Sequence, residues 1–422
     1  MFYVLKNVSL HVIKTKHESD CFYREKNRQM ILYAKYLYRA VIIQIAFTAL
    51  PLVAQTDSTR FTHRIAVDVV PGTIIHTNRF LKGENPEERT MNHAFSVHLK
   101  YAFQQAPNSK MAQIYKGAYQ GVGVGWAEFN PQLGHPVTAY LFQGARIATV
   151  CPRLTFNYEW NLGLAMGWNP YNADNNVSNL VIGSKVTAYI NADFYLSYRL
   201  SRQLDLNVGA SVTHYSNGNT KFPNAGLNTA GIRAGLAYYI NRPATEASFQ
   251  AYPSFAKGLT CDVLLYGAWH KRGMYSHEGG AFALPGTFGV VGFNINPMYN
   301  VNHWLNVGLS VDGVYDEGAN LHVIGDPPYE SDDVERPNTN KQMAMGLSAR
   351  TEFVMPYFTI NLGVGMNVVN RTSDFKGLYE VLALKINMSR RVFAHIGYTL
   401  NDFRSPRHLM LGMGYRFGKP RR

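Results

Sequence analysis

After residue 60 this chain is written in segments of about ten residues that alternate apolar and polar side chains, and the pattern recurs about sixteen times. Successive side chains of a strand point to opposite faces, so each segment has one greasy and one polar row. The segments fall near 64–76, 92–104, 118–128, 136–147, 153–168, 185–200, 204–216 and 227–241. They resume near 261–272, 284–298, 303–315, 341–355, 357–369, 379–389, 391–402 and 408–417. No apolar run of about 18 residues interrupts them, which excludes helical membrane spans over this part of the chain. Segments of this length, tipped with aromatics and joined by alternately short and long connections, are the signature of a transmembrane β-barrel of the outer-membrane type.

The expected fold is therefore all-β: a transmembrane antiparallel β-barrel of about sixteen strands in two groups of about eight. A polar, proline-containing linker at 242–259 separates the groups. One wide barrel is favoured over two eight-stranded barrels, because two barrels in one chain are rare. Residues 62–241 form the first half and 260–418 the second. Short connections such as 199–203, 354–358 and 388–391 read as inner turns, and 169–180, 217–226 and 316–340 as outer loops. The last strand closes on Tyr415 and Phe417.

Export is read from the N-terminus. Residues 1–54 form a presequence, with a signal peptide over 30–54: Met30, basic Lys35 and Arg39, an apolar core from Ala40 to Val53, then small Ala54. Residues 1–54 carry eight basic and three acidic residues, so their removal lowers the net charge from +13 to +8. The remaining charge is scattered, which argues against nucleic-acid binding. Cys21 leaves with the presequence. The spacing of Cys151 and Cys261 matches no metal motif and leaves their pairing open.

Several upward strands share an Asn-x-Gly pair on the polar row: Asn161/Gly163, Asn207/Gly209, Asn306/Gly308 and Asn361/Gly363, with His395/Gly397 as a variant. The same rows hold Glu159, Asp193, Asp205, Arg233, Arg350, Glu352, Lys385 and Arg416. Facing inward they can pair across a lumen, whereas on the lipid side each costs stability.

One hairpin departs from the repeat. In the strand 204–216, Leu206, Val208, Ala210 and Val212 form the apolar row, and His214 and Ser216 continue it. Asn228 heads the apolar row of the next strand. The positions equivalent to His214 and Ser216 hold Trp168 and Pro170, Gly313 and Tyr315, or Asp402 and Arg404 in other strands, so the barrel itself does not require the pair. Residues two apart on a strand stand about 6.8 Å apart with parallel side chains. An imidazole there can take a proton from a hydroxyl as it attacks an ester. Asn217, Asn224 and the backbone N–H groups of the Gly218–Asn219 turn are candidate oxyanion donors. A site on the lipid-facing surface would meet its ester by lateral diffusion, so the substrate should be a lipid. This chemistry needs neither metal nor cofactor. The acidic loop 316–340 reads as a solvated outer loop, and His270, His277 and His322 lack metal-ligand spacing.

The stretch HYSNGNTKFPNAGLN, 214–228, resembles the active-site hairpin of PagL-type lipid A 3-O-deacylases, outer-membrane barrels that hydrolyse an acyl ester of lipopolysaccharide. The matching residues are His214, Ser216, Asn217, Pro223, Asn224 and Gly226. The resemblance implies His214 as base, Ser216 as nucleophile, and Asn217 or Asn224 as oxyanion donors. It implies an outer-membrane serine esterase acting on lipid A or a related acylated glycolipid. Asn228 stands where the family carries Glu, which implies a slower or differently assisted hydrolase, or a binding relic. Two other readings stay open: a porin-like barrel with an inert hairpin, and a barrel that binds lipopolysaccharide without cleaving it. The sequence also leaves open the acyl position cut, the role of the second half, and homodimer formation.

Overall fold

A computed structural model describes residues 61–243, 255, 257–275, 281–325, 327, 329–371, 373–403 and 405–418. The presequence 1–54 with its signal peptide, most of the 242–259 linker, and His277 lie outside the described residues.

Strands β1 (Phe61–Ile75), β2 (His93–Gln105), β3 (Tyr119–Glu128), β4 (Gly134–Cys151), β5 (Leu154–Trp168), β6 (Val186–Arg199), β7 (Leu204–Ser216) and β8 (Leu227–Ile240) form one closed antiparallel barrel. Strands β9 (Gly258–His270), β10 (Phe288–Asn300), β11 (Leu305–Asp316), β12 (Met343–Val354), β13 (Phe358–Val369), β14 (Leu378–Asn387), β15 (Val392–Asn401) and β16 (Ser405–Phe417) form a second. The preference for one wide barrel is overturned. β8 closes on β1, from Ile75 opposite Asn228 to His63 opposite Ile240, and β16 closes on β9 around Leu411 opposite Gly267. Among the described residues no helix is long and apolar enough to cross a membrane.

Alternation sorts the side chains as the sequence implied. On β7, Asp205, Asn207, Ser211 and Thr213 are buried in the lumen, while Leu206, Val208 and Val212 are exposed on the outside. Asn161, Asn207, Asn306, Asn361 and His395 are all buried. The glycine that follows each Asn permits close approach between strands. A Cβ at Gly209 would stand 2.2 Å from the carbonyl oxygen of Phe194.

An eight-stranded barrel leaves an interior just wide enough for side chains, and here charges fill it in pairs. Arg233 bridges Asp68 (2.9 Å), Asp193 (2.9 Å) and Glu159 (3.1 Å), and Lys100 bridges Asp68 (3.0 Å) and Glu159 (2.5 Å). In the second barrel Lys385 joins Asp262 (3.0 Å) to Glu352 (2.5 Å), Arg416 holds Asp262 (2.7 Å), and Arg350 holds Asp312 (2.9 Å). A buried charge is tolerable only when paired and hydrogen-bonded.

At the outer end of the first barrel the loops fold over the mouth. Phe80 and Leu81, on a short helix α1 (Arg79–Lys82) capped by Asn78, join Phe129, Leu133, Val181 and Ile182 in one buried cluster with Trp168, Tyr215 and Leu227. This plug fixes the end of the β7–β8 hairpin. Tyr215 packs edge-on against Trp168 at 5.0 Å and Phe129 at 5.9 Å. With Tyr215 and Leu227 held inside, the period of two sends their neighbours His214, Ser216 and Asn228 outward.

Candidate active site

His214 and Asn228 are directly opposite in the β7–β8 ladder, and His214 Nδ1 lies 2.7 Å from Asn228 Oδ1. With the amide oxygen as acceptor, Nδ1 carries the proton and Nε2 keeps its lone pair. That is the tautomer a general base needs. Gly226 forms the floor beneath the ring: a Cβ there would stand 3.0 Å from His214 Cε1, and its φ of +74° already favours glycine.

Ser216 Oγ, the next outward position, accepts from Asn224 Nδ2 at 2.9 Å and from the Gly218 backbone N–H at 3.1 Å. Among the described residues His214 and Ser216 share no direct hydrogen bond. The hydroxyl therefore sits between two donors with its own proton uncommitted, on the same face as the imidazole. Both donors are directed at the hydroxyl itself.

The four amide and turn candidates take different positions. Asn224 and Gly218 reach Ser216. Asn217 turns into the loop, where its Nδ2 donates to the Lys221 carbonyl at 3.0 Å and its backbone N–H donates to Asn224 Oδ1 at 3.0 Å. Its side chain holds the loop and does not meet the hydroxyl. Asn219 accepts from Asn224 Nδ2 through Oδ1 at 3.2 Å and donates through Nδ2 to the Pro406 carbonyl at 2.8 Å. Gly218 and Asn219 both have positive φ, +64° and +63°, and this left-handed pair folds the turn back over Ser216.

The loop is braced from two sides. Within the first barrel, Ala225 and Gly226 donate to the carbonyls of Leu180 and Val181, both at 3.1 Å. From the second barrel, Lys271 N donates to the Asn219 carbonyl at 2.9 Å, and Leu409 packs so closely that a Cβ on Gly218 would stand 2.7 Å from it.

Two family models match the chain. One described as lipid A 3-O-deacylase (PagL) covers residues 97–237, and one described as acyloxyacyl hydrolase, C-terminal domain (PagL_C), covers residues 259–419. The chain belongs to the PagL family of outer-membrane lipid A deacylases. The first match contains the whole set from His214 to Asn228, and the second spans nearly all of the second barrel.

Among solved structures the chain is similar to the outer-membrane enzyme PagL, at 14% identity over 40% of this chain and 97% of that one, with a TM-score of 0.29. It is also similar to Neisserial surface protein A, at 10% identity over 42% and 96%, TM-score 0.27. A third is the Acinetobacter baumannii outer membrane protein Omp33, at 9% identity over 86% and 100%, TM-score 0.15. No curated protein matches the chain.

Two features of this PagL-family site carry no local sequence signal. Gly226 is one of the motif matches, yet its contact with the His214 ring depends on the loop's fold. The brace from Lys271, Pro406 and Leu409 joins segments far apart in the chain, and no local pattern announces it. The cavity inside the first barrel, about 140 Å³ and lined by residues such as Arg199 and Asp205, lies at the opposite end of the strands from Ser216.

Proposed function

We propose that the chain is a serine esterase that removes an ester-linked acyl chain from lipid A or a related acylated glycolipid in the outer leaflet, using Ser216, His214 and Asn228. The observation that carries this reading is the convergence on one outward strand end. An imidazole with its Nδ1 hydrogen-bonded at 2.7 Å lies beside a hydroxyl that two N–H donors surround.

Ser216 Oγ attacks the ester carbonyl carbon while its proton passes to His214 Nε2. The carbonyl oxygen takes the developing negative charge, and Asn224 Nδ2 and the Gly218 N–H donate to it. Collapse breaks the bond to the sugar oxygen, which leaves with the proton from the imidazolium. Water, deprotonated by the same Nε2, then cleaves the acyl-serine and releases a fatty acid. The outward position matters because Leu206, Val208 and Val212 below Ser216 form an apolar surface over which acyl chains can lie.

A porin reading fits poorly with lumens whose charged side chains are buried and paired. Recognition of lipopolysaccharide without cleavage is favoured by one observation alone, the amide at position 228. Export by the 30–54 signal peptide belongs to the same proposal, since the outer leaflet is reached only by secreted chains.

The test is mass spectrometry of lipid A from cells producing the full chain or its Ser216→Ala variant. Loss of one acyl chain with Ser216 present, and none with the variant, is the expected result. Identical lipid A from both strains, with both proteins assembled in the membrane, would remove the esterase assignment and leave recognition without cleavage.

A further inference from the structure

The outer rims of the two barrels enclose a cavity of about 560 Å³ beside the catalytic loop. The first barrel supplies Asn219, Phe222 and Asn224 to its wall, and Asn224 is the side chain that donates to Ser216 Oγ at 2.9 Å. A single amide thus separates the cavity from the hydroxyl. The second barrel supplies Lys271, Arg272 and Arg407, with Asp316 and Asp374 as the facing carboxylates.

Both carboxylates already have partners. Asp316 pairs with His270 Nε2 at 2.8 Å and accepts the Gly318 N–H at 2.8 Å. Asp374 pairs with Arg272 and accepts the Asn320 N–H at 2.8 Å. Burial pushes the Asp374 carboxyl up, but the Arg272 guanidinium and these hydrogen bonds outweigh it and hold the group below its ordinary range. Lys271 and Arg407 make no close ion pair, although Asp316 and Asp374 both attract Arg407 at longer range. Among the described residues no carboxylate stands within ion-pair distance of either. Arg407 is held over the Phe375 ring at 4.8 Å, which fixes its direction. Three cations against two carboxylates leave the wall with a net positive charge, and in a cavity of ligand size that describes a site for an anion. The volume far exceeds that of a lone phosphate group and suits a substituted sugar.

We propose that this cavity holds the phosphate-bearing sugar headgroup of the glycolipid whose acyl ester meets Ser216, with Lys271 and Arg407 of the second barrel as the phosphate ligands. The inference rests on the deacylase reading and extends it. The first barrel carries the chemistry, and the second supplies headgroup recognition.

Binding separates the two claims, because it does not need turnover. The full chain carrying Ser216→Ala is titrated with bisphosphorylated lipid A in detergent micelles, and separately with the same lipid after removal of its phosphates. Adding Lys271→Ala and Arg407→Ala should weaken binding of the phosphorylated lipid about ten- to a hundredfold, as expected for lost charge-assisted contacts. Binding of the phosphate-free lipid should be unchanged. The charge-keeping pair Lys271→Arg and Arg407→Lys should retain most of the affinity, which excludes collapse of the fold as the cause. Equal affinity with and without the two cations, or an equal loss for both lipids, would overturn the proposal. Selective binding by the Ser216→Ala chain, together with no cleavage of either lipid by the parent chain, would instead sustain the headgroup site and remove the esterase.

Discussion

Replacing Asn228 with Glu tests how the imidazole is assisted. In the structure an amide oxygen 2.7 Å from His214 Nδ1 orients the ring but carries no charge. A carboxylate at that position would keep the hydrogen bond and add Coulomb attraction to the imidazolium formed as Ser216 loses its proton. With charge centres roughly 4 Å apart, that attraction is about 1 kcal/mol in water and about 4 kcal/mol near a protein surface. Both side chains are half-buried at the membrane rim, so about 1–2 kcal/mol is the appropriate range. This corresponds to a five- to thirtyfold faster acylation, roughly, since 1.36 kcal/mol is tenfold in rate. Asn228→Ala should act in the opposite sense, slowing the reaction about ten- to a hundredfold as the ring loses its orienting partner. The assay is the initial rate of fatty acid release from micellar lipid A, with heat-dependent gel mobility as the check on folding. If Asn228→Glu folds and is slower than Asn228→Ala, position 228 does not orient the base, and the proposed triad is wrong.

Two further substitutions probe the supports of the site. Gly226→Ala places a methyl group 3.0 Å from His214 Cε1 on a backbone with φ of +74°. It should cost about 1 kcal/mol of local stability and more than tenfold in deacylation, roughly, with headgroup binding retained; unchanged turnover would show that the ring does not need that floor. Arg233→Met removes one of the two cations, Arg233 and Lys100, that Asp68, Glu159 and Asp193 share, a loss of about 3–5 kcal/mol for a broken buried network. Urea unfolding of detergent-solubilised protein reads that loss, and a midpoint equal to that of the parent chain would contradict the packed-lumen description.

What could be read in advance follows from what is local. The sixteen strands, the inward Asn-x-Gly rows and the outward His214, Ser216 and Asn228 all depend on a period of two, which any strand displays along its own length. The division of labour in the loop does not. Asn217 and Asn224 look alike in the sequence as oxyanion donors, yet one turns into the loop and the other to Ser216. The turn at Gly218–Asn219 decides which. The contacts of Lys271, Pro406 and Leu409 with the loop depend on how two barrels meet, and alternation says nothing about that.

The number of barrels was encoded, but in charge and not in periodicity. A wide barrel holds water, and its inner charges need no local balance; an eight-stranded lumen is dry, and every charge inside must find its opposite within the same cylinder. In the first half Arg64, Lys100 and Arg233 pair with Asp68, Glu159 and Asp193, and Asp205 pairs with Arg242. In the second, Arg350, Lys385 and Arg416 pair with Asp262, Asp312 and Glu352. Each of these pairs closes within its own half, as two separate lumens require. Closing each half on itself also gives each barrel its own outer rim. It is the meeting of those rims that sets Lys271 and Arg407 beside the catalytic loop.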